Sequence, residues 1–118
     1  GHGVGYFLNV HEGPHAISKN NKIKFKEGMI VSNEPGYYEK NKFGIRIENL
    51  IYVKKNKKEN YFENLTMVPI DKDLIDQNIL NKSEKIWLNN YHNKVFYNLK
   101  NAMNKKEIFE LKKACSAI

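Results

Sequence analysis

A single cysteine, Cys115, rules out any disulfide within the 118-residue chain and fits a reducing compartment. Arginine is almost as scarce. The only one is Arg46, whereas proteins that read nucleic acid favour arginine for bidentate contacts. The net charge of +7 rests instead on lysines interleaved with asparagines, as in "SKNNKIKFK" and "VKKNKKEN". That pattern reads as a solvated surface, and no nucleic-acid partner is expected. No apolar run approaches the roughly 20 residues of a membrane span, so no membrane partner is expected either. Neither a signal-peptide pattern nor an initiator methionine is present. The chain opens on "GHGVGYF" and reads as part of a longer protein, placed by its thiol usage in the cytoplasm. The glycines of "GHGVG" look like a phosphate cradle, but no Lys-Ser/Thr pair or dinucleotide-binding helix follows, which argues against nucleotide.

The first half of the chain reads as strands. Val4–Val10 is expected to be a strand or turn before the Gly13-Pro14 loop. "GMIVSNEP" is a short strand closed by Pro35-Gly36, followed by a polar turn over residues 39–42. "FGIRIENLIYVKK" is the strongest strand. Its alternation puts Ile45, Ile47, Asn49 and Ile51 on one face and Arg46, Glu48, Leu50 and Tyr52 on the other. "KKNKKEN" turns the chain, and "YFENLTMVPI" returns as a strand ended by Pro69. From about Asp71 the period changes. Trp87, Leu88, Tyr91, Val95, Leu99 and Met103 recur at helical spacing, with Asn81 and Glu84 forming a capping box. Asn104 and Glu107 form a second box for a final helix to about Ala114. The pattern therefore gives an α/β (α+β) chain, with antiparallel sheet joined by loops in its first half and two helices in its second. His15 is expected on an exposed loop, and His92 is expected to be a packing or surface residue of the first long helix.

Two glutamates stand out. Glu34 follows Met29-Ile30-Val31, and Glu48 closes Gly44-Ile45-Arg46-Ile47, so both sit in apolar, strand-like text. Ionised carboxylates are costly there unless they are paired or bind a cation. With His2 or His11 they would form a set of hard-to-borderline ligands suited to manganese, cobalt, iron or zinc rather than calcium. The alternative keeps the histidines as strand-edge residues and pairs the glutamates with Arg46 and lysines. Spacing alone leaves both open.

The wording of the motifs goes further. "GHGVGYFLNVHEGP", "EGMIVSNEPGYYE", "FGIRIENLIYV" and "LTMVPIDKDLID…WLNNYH" resemble, in order and spacing, the C-terminal part of the Xaa-Pro aminopeptidase (aminopeptidase P) family. The resemblance implies the second half of a pita-bread fold, with curved antiparallel sheet in a catalytic half-domain over residues 1–64 and an extension of strand, loop and two helices over residues 65–118. It also implies a dinuclear-metal hydrolase cleaving between an N-terminal residue and a following proline. It assigns metal-ligand roles to His2, Glu34 and Glu48, with Glu48 bridging two ions and Glu34 doubling as proton shuttle. It gives His11 a substrate-contacting, catalytic role, and it makes Arg46 the residue that orients the ligands. Tyr38 would line the pocket. The implied cofactors are two divalent ions, manganese first and zinc or cobalt as alternatives. The implied partners are peptides with proline in second position and a second copy of the chain, met through residues 65–97.

The family site has five ligands, and two aspartates precede "GHGVG", so this chain holds three. The isolated 118 residues are therefore expected to be inactive, to bind metal weakly or not at all, and to expose a sheet face. Two other outcomes keep the fold. A prolidase would cleave only dipeptides, and a non-catalytic binding module of the same fold would usually have lost its ligands.

Overall fold

The computed structural model describes residues 1–7 and 9–118. The chain forms two compact units, Gly1–Thr66 and Met67–Ile118.

In the first unit the order is β1 (Ile30–Asn33), β2 (Gly36–Glu39), β3 (Phe43–Arg46), β4 (Asn49–Lys55) and β5 (Asn60–Asn64). β4 pairs antiparallel with β1 on one side and β5 on the other, and β2 pairs with β3 as a separate hairpin. Val31 lies directly opposite Ile51, and with Val53 they form the buried side of the three-stranded sheet. Such cross-strand β-branched pairs are what hold antiparallel ladders together. Turn chemistry sets the ends. Asn41, at φ 61°, takes the left-handed turn between β2 and β3. Asn56 Oδ1 accepts from the backbone N–H groups of Lys58 (2.8 Å) and Glu59 (2.9 Å), fixing the lysine-rich tip between β4 and β5. Gly28, at φ 85°, turns the chain into β1 while its N–H donates to Val53 O at 2.8 Å.

Two strand expectations need correction, and a third is narrowed. Of the strand or turn expected over Val4–Val10, no strand forms among the described residues. His2 and Gly3 make only isolated bridges to Ala16 and Val31, and Leu8 lies outside the described residues. "YFENLTMVPI" stops pairing at Asn64, well before Pro69, because the Leu65 N–H still reaches Leu50 O but β4 offers no further partner beyond its own first residues. "FGIRIENLIYVKK" is two strands in two sheets, interrupted at Ile47 and Glu48. Its partner β2 carries no strand signal in the sequence, because Pro35-Gly36 looks like a terminator.

The interruption follows from one residue. Asn33 faces Asn49 in one ladder and Gly36 faces Arg46 in the other, so a single register runs through both. Pro35 then falls opposite Ile47. It accepts the Ile47 N–H at 3.2 Å but has no N–H to return, so the reciprocal bond is missing there. The ribbon is continuous in geometry and broken only in hydrogen bonding.

The second unit contains α1 (Lys82–Leu99), a 3-10 turn over Lys100–Ala102, and α2 (Lys105–Ala114). Both expected capping boxes are present: Asn81 with Glu84 and Asn104 with Glu107, each side chain bonding the other's backbone N–H. Leu88, Tyr91 and Val95 of α1 pack on Leu111 and Cys115, the C-cap of α2, to form the core. Trp87, 59% exposed, is not part of it and stacks on Tyr91 instead. The segment before α1 is laced to the helices. Tyr91 Oη donates to Val68 O at 2.6 Å, and the Ile70 N–H donates to His92 Nε2 at 3.1 Å. Lys72 Nζ caps the C-terminal end of α2 through Lys113 O (3.2 Å) and Ser116 O (2.8 Å), where the helix dipole favours a cation. No helix among the described residues is long and apolar enough to cross a membrane.

Two predictions arise here. Asn104→Ala removes the acceptor for the Lys106 and Glu107 N–H groups and should cost about 1 kcal/mol of stability, read from urea unfolding. The second concerns pH. His92 is fully buried, and burial, then the nearby Lys72 charge, hold its imidazole below the ordinary histidine range. It is therefore neutral in the fold, whereas the unfolded chain takes up a proton below about pH 6.5. The stability this contributes is complete above that pH and is lost as pH falls through the folded-state value. Melting temperature should drop between pH 7 and pH 5. His92→Gln should flatten the drop, and an equal slope in both proteins would remove His92 as its source.

Candidate metal centre

The continuous register explains how two carboxylates meet. Extending it across the gap puts Glu34 directly opposite Glu48. Because Pro35 and Ile47 occupy the hydrogen-bonded position, Glu34 and Glu48 fall in the alternate, closer kind of pair, with both side chains on one face. Ser32, Glu34 and Gly36 share that face on one side of the ribbon; Leu50, Glu48 and Arg46 share it on the other.

His2 arrives from the far side of β1. Gly3 bridges to Val31, and the His2 carbonyl accepts the Ser32 N–H at 2.9 Å. This approach needs glycine at position 3, where a Cβ would overlap the Glu12 carbonyl and press on His15. His2 Nδ1 lies 2.9 Å from Gly3 O. A carbonyl can only accept, so the proton sits on Nδ1 and the Nε2 lone pair is left free to ligate.

One ligand atom each from His2, Glu34 and Glu48 lies within 4.8 Å of the others. An imidazole nitrogen with a free lone pair and two carboxylates at this spacing fit a divalent ion of borderline hardness. His2 Nε2 is 3.6 Å from Glu34 Oε1. Arg46 spans the two acids, with Nε 3.5 Å from Glu48 Oε2 and a terminal nitrogen 3.8 Å from Glu34 Oε2. The Ser32 hydroxyl donates to Glu34 Oε1 at 2.7 Å. That bond above all, with nearby positive charge that includes the Arg46 guanidinium, holds the Glu34 carboxyl below its ordinary range. Glu34 is an anion at neutral pH.

The remaining expected residues fall as follows. His11 is exposed, and its ring centroid lies 4.4 Å from that of His2, tilted by 47°. Tyr38 lies on the Glu34 face, its ring over Gly36 and Gly44, where either Cβ would collide with it. His15 is half-buried rather than exposed, because its Nε2 reaches Ile30 O at 2.9 Å. Glu48 is also not buried as its alternation implied. Its side chain is 40% exposed, since β3 and β4 both end beside it, so desolvation does not explain its presence. Convergence with Glu34 does. Ser32 is the site residue that the sequence motifs do not single out. Its signal is a small polar residue after an apolar pair, two positions from Glu34 and hence on the same face.

This face, with its histidine and paired carboxylates on an antiparallel ribbon, is a candidate divalent-metal centre. Residues 1–55 match the sequence model of "Metallopeptidase family M24", and residues 60–118 match that of the "C-terminal region of peptidase_M24". The chain belongs to metallopeptidase family M24. A probable Xaa-Pro aminopeptidase P of Laccaria bicolor is 53% identical over 103 residues, covering 78% of this chain and 16% of the relative. A counterpart in Coprinopsis cinerea is 50% identical over 107 residues, covering 81% and 17%. The crystal structure of X-prolyl aminopeptidase from Caenorhabditis elegans, described as a cytosolic enzyme with a di-nuclear active site, matches with a TM-score of 0.85. It is 36% identical and covers 99% of this chain and 21% of that one. The chain thus spans about a sixth of the length of the curated relatives it matches. The expected α/β class, with antiparallel sheet and helices as in the second half of a pita-bread fold, holds.

Proposed function

We propose that this chain is the C-terminal catalytic portion of a dinuclear Xaa-Pro aminopeptidase, which releases the N-terminal residue from peptides with proline in second position. The observation that carries the reading is the convergence of His2, Glu34 and Glu48 on one face, within ligand reach of a shared point. These three residues would hold two divalent ions together with two aspartates supplied by sequence ahead of Gly1. Manganese is the first choice for that mixed nitrogen and oxygen set. When bound, the ions would acidify a water and polarise the scissile carbonyl.

The chain's own residues supply the rest. Arg46 lies between the two carboxylates and neutralises their mutual repulsion, holding both in place. Glu34, an anion at neutral pH, can take a proton from water and return it to the proline nitrogen as the bond breaks. His11, exposed beside His2, can donate a hydrogen bond to the substrate carbonyl. Tyr38 borders the same face and would contact the peptide. With three of five ligands, the 118 residues alone would be inactive.

Homodimerisation through residues 65–97 is supported by the exposed apolar side chains there, Leu74, Ile79, Trp87 and Tyr97 among them. A cytoplasmic location is supported by the cytosolic description of the Caenorhabditis elegans relative.

The test is hydrolysis of an X-Pro-Pro peptide by the parent protein with Mn²⁺. Release of free X by the parent, and none by residues 1–118, is expected. Cleavage restricted to X-Pro dipeptides would make it a prolidase, and inertness of the metal-loaded parent would defeat the peptidase reading.

A further inference from the structure

Ser32 is fully buried, yet it carries a hydroxyl directly after the apolar pair Ile30 and Val31. A buried hydroxyl is retained only when its hydrogen bonds are made. Here both are made to residues of the candidate metal centre. Ser32 Oγ accepts the His2 backbone N–H at 2.9 Å and donates its proton to Glu34 Oε1 at 2.7 Å. The His2 carbonyl is farther from the hydroxyl, at 3.5 Å, so the carboxylate is the better acceptor for the single proton. The backbone adds a reciprocal tie, with the Ser32 N–H donating to His2 O at 2.9 Å. Two ligand residues 32 positions apart in sequence are thus joined through one side chain.

We infer that Ser32 is a positioning residue for metal binding: its hydroxyl fixes the Glu34 carboxylate against the backbone that carries His2, so that both ligands are oriented before an ion arrives. The inference rests on the proposed metallopeptidase reading and deepens it. Without the hydroxyl, Glu34 keeps its charge but loses the contact that selects one rotamer, while Arg46 draws its other oxygen away. The His2 N–H also loses its partner, which loosens the segment bearing the imidazole. Groups that orient metal ligands in this way are commonly worth about 10-fold to 100-fold in metal affinity.

The experiment uses the parent protein and Mn²⁺ alone, titrated by calorimetry, with metal content measured after dialysis. Ser32→Ala should raise the Mn²⁺ dissociation constant at least about tenfold. Ser32→Thr and Ser32→Val are nearly identical in shape and differ in the hydroxyl. The threonine variant should bind within about twofold of the native protein, and the valine variant should weaken like alanine. The rise in melting temperature on adding Mn²⁺ should shrink for alanine and valine and persist for threonine. A merely structural role would lower the metal-free melting temperature in all three and leave the Mn²⁺-induced rise unchanged. Should Ser32→Ala not fold, Ser32→Cys keeps the volume with a weak donor and must show the same loss. Native affinity in alanine and valine overturns the inference, and so does equal weakening in threonine and valine. Glu34→Gln separates this from the parent reading. If it loses Mn²⁺ while Ser32→Ala does not, only the role of Ser32 fails; if it retains full Mn²⁺, the metal centre itself fails.

Discussion

Glu48→Ala in the parent protein should lower kcat/KM for an X-Pro-Pro peptide by on the order of 10³-fold or more, with little change in melting temperature. The two halves of that result have separate causes. Glu48 is the residue opposite Glu34 in the closer kind of antiparallel pair, and it shares Arg46 with that glutamate. Removing it takes away one of three ligand groups that meet within 4.8 Å and leaves Arg46 free to swing fully onto Glu34. Loss of a metal that supplies several kcal/mol of transition-state stabilisation corresponds to a factor of roughly 10³. Stability is spared because the side chain is 40% exposed and supports no core contact. Glu48→Gln should behave almost as badly, since it keeps the shape and loses the charge. Full activity in either variant would overturn the assignment. A large stability loss would instead point to a structural ion pair with Arg46.

The second large effect lies in the helical unit. Leu88→Ala should destabilise it by about 2–5 kcal/mol, a substantial part of what a small domain possesses. Leu88 is 5% exposed and packs in a core of only a few residues, with Tyr91, Val95, Leu111 and Cys115. The urea midpoint followed by helical circular dichroism should fall by about 1 M or more. Ile86→Ala, on the same helix but 51% exposed, should stay within about 0.5 kcal/mol of native. Equal effects at the two positions would mean that the packing of α1 is not as described.

Much of this was legible from residue order. Local chemistry marked both helix starts, since a capping box needs only residues three apart, and Asn81/Glu84 and Asn104/Glu107 supply them. The spacing of Leu88, Tyr91 and Val95 named the buried stripe of α1. It did not separate Trp87, which is as apolar as its neighbours but lies off that stripe. The strand text over residues 43–55 looks like one element because alternation cannot register a missing donor on a partner strand. Pro35, twelve positions before Ile47 and opposite it across the ribbon, is what breaks it.

What the sequence by itself determined were the local features: the caps, the turn residues Asn41 and Asn56, the helical period, and the chemical kind of His2, Glu34 and Glu48. These depend on neighbours a few positions away, and the chain carries that information directly. Only the tertiary structure decided that Glu34 faces Glu48, that Arg46 spans them, and that Ser32 ties Glu34 to His2. Those relations follow from the register between strands and from a glycine-permitted approach of the His2 segment to β1, and register is a property of two segments together.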